Sequence, residues 1–392
     1  MERIKFSALC VLLLLVGITS CAKNEPEDAQ ELVVLDLPAI AYDYSNLNLP
    51  NHFTFNPPGA PLPGSVLGID NTPADNPVTD EGATLGRVLF YDKKLSANGT
   101  ISCASCHKQD KGFSDDAVFS VGFDKGLTSR HSMTLINARY YQRGRFFWDE
   151  RAATLEEQVL MPFQDPVEMG MTIDRLISTV KAQPYYPELF QKAFGTLEVT
   201  EDKISRALAQ FVRSIVSQSS KYDVGRAQVP GPQMNFPNFT PEENLGKNLF
   251  FRPIAAGGAG CFGCHTTEAF VSSAAGPHNN GLDERSTNDL GAGAVFPGPQ
   301  FVGRFKTSTL RDIEVTAPYM HDGRFKTLEE VVEHYNSGIK NHPTLAPALR
   351  DMNGNPVRLN LSPAQKSALV AFLKTLTDPS LATEAKWSNP FR

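Results

Sequence analysis

Apolar positions along this chain recur at helical spacing in a few segments, separated by long stretches with no periodicity. The clearest stripe follows Thr200-Glu201-Asp202, where Ile204, Leu208, Phe211, Val212 and Ile215 fall on one helix face. Similar polar starts stand ahead of two other apolar segments. Thr79-Asp80-Glu81 precedes Leu85-Gly86-Arg87-Val88-Leu89-Phe90, and Thr240-Pro241-Glu242-Glu243 precedes Leu245-Gly246-Lys247-Asn248-Leu249-Phe250. A hydroxyl followed by acidic residues satisfies the unpaired amides of a first helical turn, so both read as helix starts. Alternation of period two is weak throughout. The pattern predicts a mainly α fold.

The ends and joints read differently. Arg3 and Lys5 precede the apolar run Leu9 to Ile18, and Thr19-Ser20 leads to Cys21. That order predicts a secretory signal over residues 1–20, too short in its apolar part for the about 20 residues of a membrane span. Residues 21–75 are polar and broken by Pro57-Pro58 and Pro61-Leu62-Pro63, which predicts a tether and an extended surface arm. His52 in this arm reads as an exposed loop histidine. Val229 to Asn238 is the best linker, dividing a first domain (76–228) from a second (239–380). Gly276 to Gly303 predicts a long loop of the kind that tends to carry function.

Composition narrows the class. The 392 residues, 41% hydrophobic and 20% charged, describe an ordinary globular chain of roughly two domains. A net charge of −6 argues against nucleic-acid binding, which needs a basic face.

The chemistry lies in Cys103-Ala104-Ser105-Cys106-His107 and its repeat, Cys261-Phe262-Gly263-Cys264-His265. Two thiols two residues apart, followed by an imidazole, form the attachment pattern of a c-type haem. The thiols add to the porphyrin vinyl groups and the histidine binds iron, leaving the opposite face for a second ligand or for chemistry. The alternative is a zinc site built from two Cys-x-x-Cys knuckles, but zinc ribbons hold their knuckles about 15–20 residues apart, and these are a domain apart. Of six cysteines, Cys10 leaves with the signal, four serve the haems and Cys21 remains, so none is left for a disulfide.

The repeat extends beyond the motifs. Trp148-Asp149-Glu150-Arg151-Ala152-Ala153-Thr154-Leu155-Glu156-Glu157 matches His321-Asp322-Gly323-Arg324-Phe325-Lys326-Thr327-Leu328-Glu329-Glu330. Each half thus predicts a helix, a haem motif, a long loop and a helix opening at Thr-Leu-Glu-Glu. The Gly-rich loop is placed to cover a haem edge.

These residues, with Phe305-Lys306-Thr307 and Thr316-Ala317-Pro318-Tyr319-Met320, resemble the bacterial dihaem cytochrome c peroxidases and the related MauG-type enzymes over roughly residues 75–380. Ile18-Thr19-Ser20-Cys21 is similar to a bacterial lipobox, which would make Cys21 a lipidated first residue; a plain signal is the alternative. The resemblance implies two cytochrome c-like domains in a periplasmic protein, anchored to a membrane of a Gram-negative bacterium only through its lipid. The N-terminal haem would reduce hydrogen peroxide, and the C-terminal haem would relay electrons from a small redox donor. Family members are often dimers, and a homodimer stays open.

Site residues follow by position. A peroxidase needs a base that takes a proton from peroxide and returns it to the departing oxygen. The resemblance places Glu168 in that role and Gln158 as its polar partner. Trp148 falls between the haems, where an oxidisable indole can carry electrons. His107 and His265 are the proximal ligands. Where many members have a distal histidine on the first haem, this chain has Phe123, which cannot ligate iron, so that haem is expected to be open. His131 matches a position that is usually asparagine; a distal-ligand role ranks lowest for it. Thr316 and Pro318 match backbone-oxygen positions of a calcium site, but losing the asparagine removes an oxygen ligand, so calcium stays open rather than expected. Tyr335 is favoured over Met320 as sixth ligand of the second haem. His321 falls near that haem's edge, and His278, His334 and His342 read as surface or hydrogen-bonded residues.

The leading reading is a peroxidase. The runner-up keeps both haems but uses peroxide to modify another molecule, as MauG-type enzymes do; Phe123 and Tyr335 lean that way. A non-enzymatic electron carrier is the third, opposed by Glu168 and by the lack of a distal ligand on the first haem.

Overall fold

Threonine hydroxyls start the helices that the sequence marks. Thr79 accepts from the amide of Gly82, Thr200 from Lys203 and Thr240 from Glu243, at 3.1–3.2 Å. In the computed structural model, which describes residues 34–55, 65–272 and 276–392, Leu35–Arg392 form one compact unit. The first half contains α1 (Asn51–Thr54), α2 (Asp80–Tyr91), α3 (Cys103–Cys106), α4 (Leu155–Gln158), α5 (Met161–Gln164), α6 (Ile173–Ala182), α7 (Tyr186–Phe194) and α8 (Glu201–Ser214). The second contains α9 (Lys221–Arg226), α10 (Pro241–Phe251), α11 (Leu328–Glu333) and α12 (Pro363–Lys374). Short 3-10 turns and a π-helical turn link them, and the β structure among the described residues consists of isolated bridges. The fold is mainly α.

Each half is built on a close helix crossing, α2 on α8 and α10 on α12. Gly86 and Gly246 make the crossings possible. A Cβ on Gly86 would stand 2.0 Å from the carbonyl oxygen of Ala207, and one on Gly246 would stand 1.8 Å from that of Ala368. The stripe Ile204, Leu208, Phe211, Val212 and Ile215 is buried in the first core with Leu85, Leu89 and Phe90. Phe250, Phe270, Phe372 and Tyr222 form the second. Thr154 caps α4 and Thr327 caps α11, so the Thr-Leu-Glu-Glu sequences open helices in both halves. Burying these side chains contributes about 1.5–3 kcal/mol each.

The arm departs from expectation. Phe53, Val66 and Ile69 are fully buried in a third cluster with Tyr140, Tyr141, Val216, Ala269 and Val271, which joins the halves. His52, expected to be exposed, is buried on α1. Its Nε2 lies 2.8 Å from Oδ1 of Asp223, which Arg311 also grips with both guanidinium nitrogens. A buried carboxylate needs such partners, and the arm supplies one of them. Cys21, the signal and the first part of the tether lie outside the described residues. No described helix is long and apolar enough to cross a membrane.

Candidate functional site: two cavities with one frame

Each Cys-x-x-Cys-His segment lines its own cavity. The first, about 320 Å³, is lined by Cys103, Cys106, His107, Gln158, Glu168 and Trp148 among others. The second, about 220 Å³, is lined by Cys261, Cys264, His265, Met320, Tyr335 and Trp148. The four thiols do not gather into one tetrahedral set, and no described cluster of three or more His, Cys, Asp or Glu side chains could hold a metal ion. The zinc alternative therefore falls.

The frame fits haem in both places. His107 Nδ1 is 2.9 Å from the carbonyl of Phe113, and His265 Nδ1 is 3.3 Å from that of Phe270. A carbonyl only accepts, so Nδ1 carries the proton and Nε2 keeps its lone pair for iron. Burial lowers the pKa of both imidazoles, His265 to about 4, which keeps them neutral. Burial also pushes Cys103 and Cys261 up to about 12 and Cys106 to about 11, so these unpaired thiols stay protonated until they add to a vinyl group.

The opposite walls differ. In the first cavity, Glu168 follows α5 on a loop held by its own backbone: the amide of Glu168 donates to Asp165, and its carbonyl accepts from Phe123 at 2.9 Å. Burial, reinforced by the Asp165 carboxylate, raises the Glu168 pKa to about 7, where it can both take and return a proton. Gln158, at the end of α4, adds an amide. Met133 and Met169 also line this cavity, and Phe123 offers no ligating atom. Phe123 does not line the cavity; its ring packs on Gly170, where a Cβ would meet it at 2.4 Å. His131 lines the wall, but its Nδ1 is 3.0 Å from the Ala117 carbonyl and its Nε2 is 3.2 Å from Ser114 Oγ, leaving no nitrogen for iron. Thr316 and Pro318 line neither cavity.

In the second cavity Met320 and Tyr335 converge on one amide. Asn280 Nδ2 stands 3.4 Å from Met320 Sδ and 3.4 Å from Tyr335 Oη. Tyr335 sits in a π-helical turn, His334–Gly338, that continues α11. Burial pushes its phenol up to about 12. His334 Nε2 donates to the Asn280 carbonyl, 3.0 Å away, and so helps set that amide. His321 lies at the cavity edge, stacked on Phe305 at 3.7 Å, and Trp148 meets it edge-on at 6.4 Å. His278 bonds Thr307, and His342 accepts from the amide of Thr344.

Trp148, Lys306 and Ser308 line both cavities. The Trp148 indole donates to the His131 carbonyl at 2.7 Å, and the Lys306 amide donates to the Trp148 carbonyl at 2.8 Å. Lys306, Asn280 and a buried Tyr141–Glu150 pair carry no signal of their role in the sequence, although Lys306 and Glu150 stand within motifs.

Comparison with known proteins decides the family. Residues 80–228 match the di-haem cytochrome c peroxidase family. The methylamine utilization protein MauG of Methylorubrum extorquens is 35% identical over 79% of this chain and 82% of its own. The chain belongs to the di-haem cytochrome c peroxidase family. The cytochrome c551 peroxidase of Nitrosomonas europaea is 34% identical over 78% of this chain and 82% of its own. Among solved structures, a MauG-like protein associated with microbial copper homeostasis is 31% identical, with a TM-score of 0.71 over 82% of this chain and 96% of that one. The diheme peroxidase BthA of Burkholderia thailandensis, 23% identical with a TM-score of 0.64 over 81% of this chain and 91% of its own, shares the fold. The di-haem peroxidase family carries two haems c and performs peroxide-dependent oxidation–reduction, and the two cavities fit that pair.

Proposed function

We propose that this protein of the di-haem peroxidase family reduces hydrogen peroxide to water at the first cavity, with electrons entering through the second. The observation that carries the reading is Glu168: a half-buried carboxylate, its pKa raised to about 7, in the wall of the cavity that His107 also lines. The haem bound through His107 would supply the iron at which the O–O bond breaks. Glu168 takes the proton from the oxygen that binds and gives it to the oxygen that leaves, so water departs instead of hydroxide. Gln158 orients the peroxide by hydrogen bonding. Trp148, shared by both cavities, is the route for two electrons, and two further protons from solvent complete two molecules of water.

Tyr335 favours a second reading. A phenolate is a hard anionic ligand that stabilises oxidised iron, which suits an enzyme that stores oxidising equivalents for another molecule. One experiment separates the readings. Peroxide is mixed with the haem-loaded, oxidised protein, with and without a small reducing cytochrome. Rapid peroxide loss that requires the cytochrome supports the peroxidase. Loss with no donor, accompanied by modification of a second protein, supports the oxidase. No reaction before reduction of the protein, with two low-spin ferric signals in low-temperature EPR, overturns the open first cavity. Secretion and lipid anchoring at Cys21 belong to the same proposal; replacing Cys21 by serine should release the protein from membranes.

A further inference from the structure

The repeat aligns Glu150 with Gly323, and the two share a backbone conformation that only glycine adopts freely. Gly323 has φ +63° and Glu150 has φ +58°. A glutamate there is held against its preference, so the rest of the fold must over-determine it. Its side chain is wholly buried, at 0% exposure. One carboxylate oxygen accepts the Tyr141 hydroxyl, and the other accepts from Arg143 at 2.9 and 3.0 Å.

Tyr141 is itself 1% exposed and lines the first cavity. Lys306, which lines both cavities, holds its Nζ 3.9 Å from the Tyr141 ring centre and donates to the Arg145 carbonyl at 3.1 Å. The Lys306 amide in turn bonds the Trp148 carbonyl. Tyr141 thus adjoins the proposed electron route without lying on it. Burial, and next the Glu150 carboxylate, raise its pKa far above the ordinary phenol value. Such a phenol loses an electron only if its proton leaves in the same event, and Glu150 is the acceptor already bonded to it.

We propose that Tyr141 and Glu150 form a proton-coupled redox pair that supplies one electron to the first cavity when external electrons are lacking. The Tyr141 O–H bond breaks, its proton passes to Glu150 and its electron passes to the peroxide-oxidised haem of that cavity, leaving a neutral phenoxyl radical. An electron arriving later through Trp148 reduces the radical, and the proton returns from Glu150. The pair would retain an oxidising equivalent in a buried, partnered position instead of releasing it into the surrounding protein. This rests on peroxide oxidising the first haem.

The test is rapid-freeze EPR of haem-loaded protein mixed with peroxide without a donor, made with ordinary and with ring-deuterated tyrosine. The haem absorption of the same samples is followed. The expected result is a radical signal that narrows on deuteration, disappears in Tyr141→Phe and falls severalfold in Glu150→Gln. Glu150→Gly, which relieves the backbone while removing the acceptor, should lose the signal similarly and so guards against a folding artefact. A signal insensitive to deuteration, one that survives in Tyr141→Phe, or no tyrosyl signal in protein whose haem absorption has changed would overturn the proposal. Unchanged haem absorption after peroxide would instead overturn the peroxide reading beneath it.

Discussion

The two cavities share a frame and differ in one wall. Both have a Cys-x-x-Cys-His segment, a histidine whose Nδ1 is fixed by a backbone carbonyl, and a helix crossing opened by glycine. The first cavity then presents Glu168 and Gln158, whereas the second presents Tyr335 and Met320 around Asn280. A carboxylate whose pKa lies near 7 can handle protons, whereas a phenol or thioether can take the iron itself. On the proposed reading the shared frame holds haem, and the wall opposite decides what each haem does.

Removing Glu168 should break this contrast most completely. Glu168→Gln is nearly isosteric but accepts no proton, so peroxide turnover should fall about 10²–10⁴-fold. Haem loading and resting spectra should not change. A loss under tenfold would mean that the proton is handled elsewhere. The same residue gives a pH signature. Only its ionised form is a base, so wild-type rate should rise with pH until about 7 and then level. A Glu168→Gln profile that keeps this limb would remove Glu168 from the role.

The second wall can be broken from either side. On the reading that Tyr335 binds iron as the phenolate, Tyr335→Phe should raise the reduction potential of the second haem, because an anionic oxygen that favours ferric iron is lost, whereas Met320→Leu should leave that potential nearly unchanged. Redox titration followed optically reads both. The reverse pattern would hand the sixth position to Met320.

The shared frame predicts equal behaviour. Gly86→Ala and Gly246→Ala each force a methyl onto a backbone carbonyl, and overpacking of this kind costs about 1–3 kcal/mol. Both should lower thermal stability comparably by calorimetry. A large effect in one half alone would show that the crossings are not equivalent.

What was legible in the sequence follows from how local each feature is. Helix starts at Thr79, Thr200, Thr240 and Thr327 depend on a hydroxyl within three residues, and the haem motifs depend on five consecutive residues. Helices α6 and α7 have equally local signals, since Thr172 caps α6 and Gly195 ends α7. His52 was misread because its burial depends on Asp223, 171 residues away. Glu150 was visible only as a mismatch with Gly323; its bond to Tyr141 needs the positive φ and the folded loop together.

Phe123 is the finest test of the contrast. Its identity suggested an open iron because phenylalanine cannot bind metal, but its position adds a second role. The ring packs on Gly170 and the amide donates to the Glu168 carbonyl, so Phe123 braces the loop that presents the carboxylate. Asn98 fixes it in turn by donating to its carbonyl at 2.7 Å. Phe123→Ala keeps the backbone bonds and removes only the ring. Glu168 should then sit more loosely, with turnover reduced by less than about tenfold and the pH limb near 7 retained. The resting EPR spectrum should be unchanged, since the ring does not line the cavity. A change of spin state in this variant would mean that the ring reaches the iron side after all, and that the first cavity is kept open by Phe123 itself.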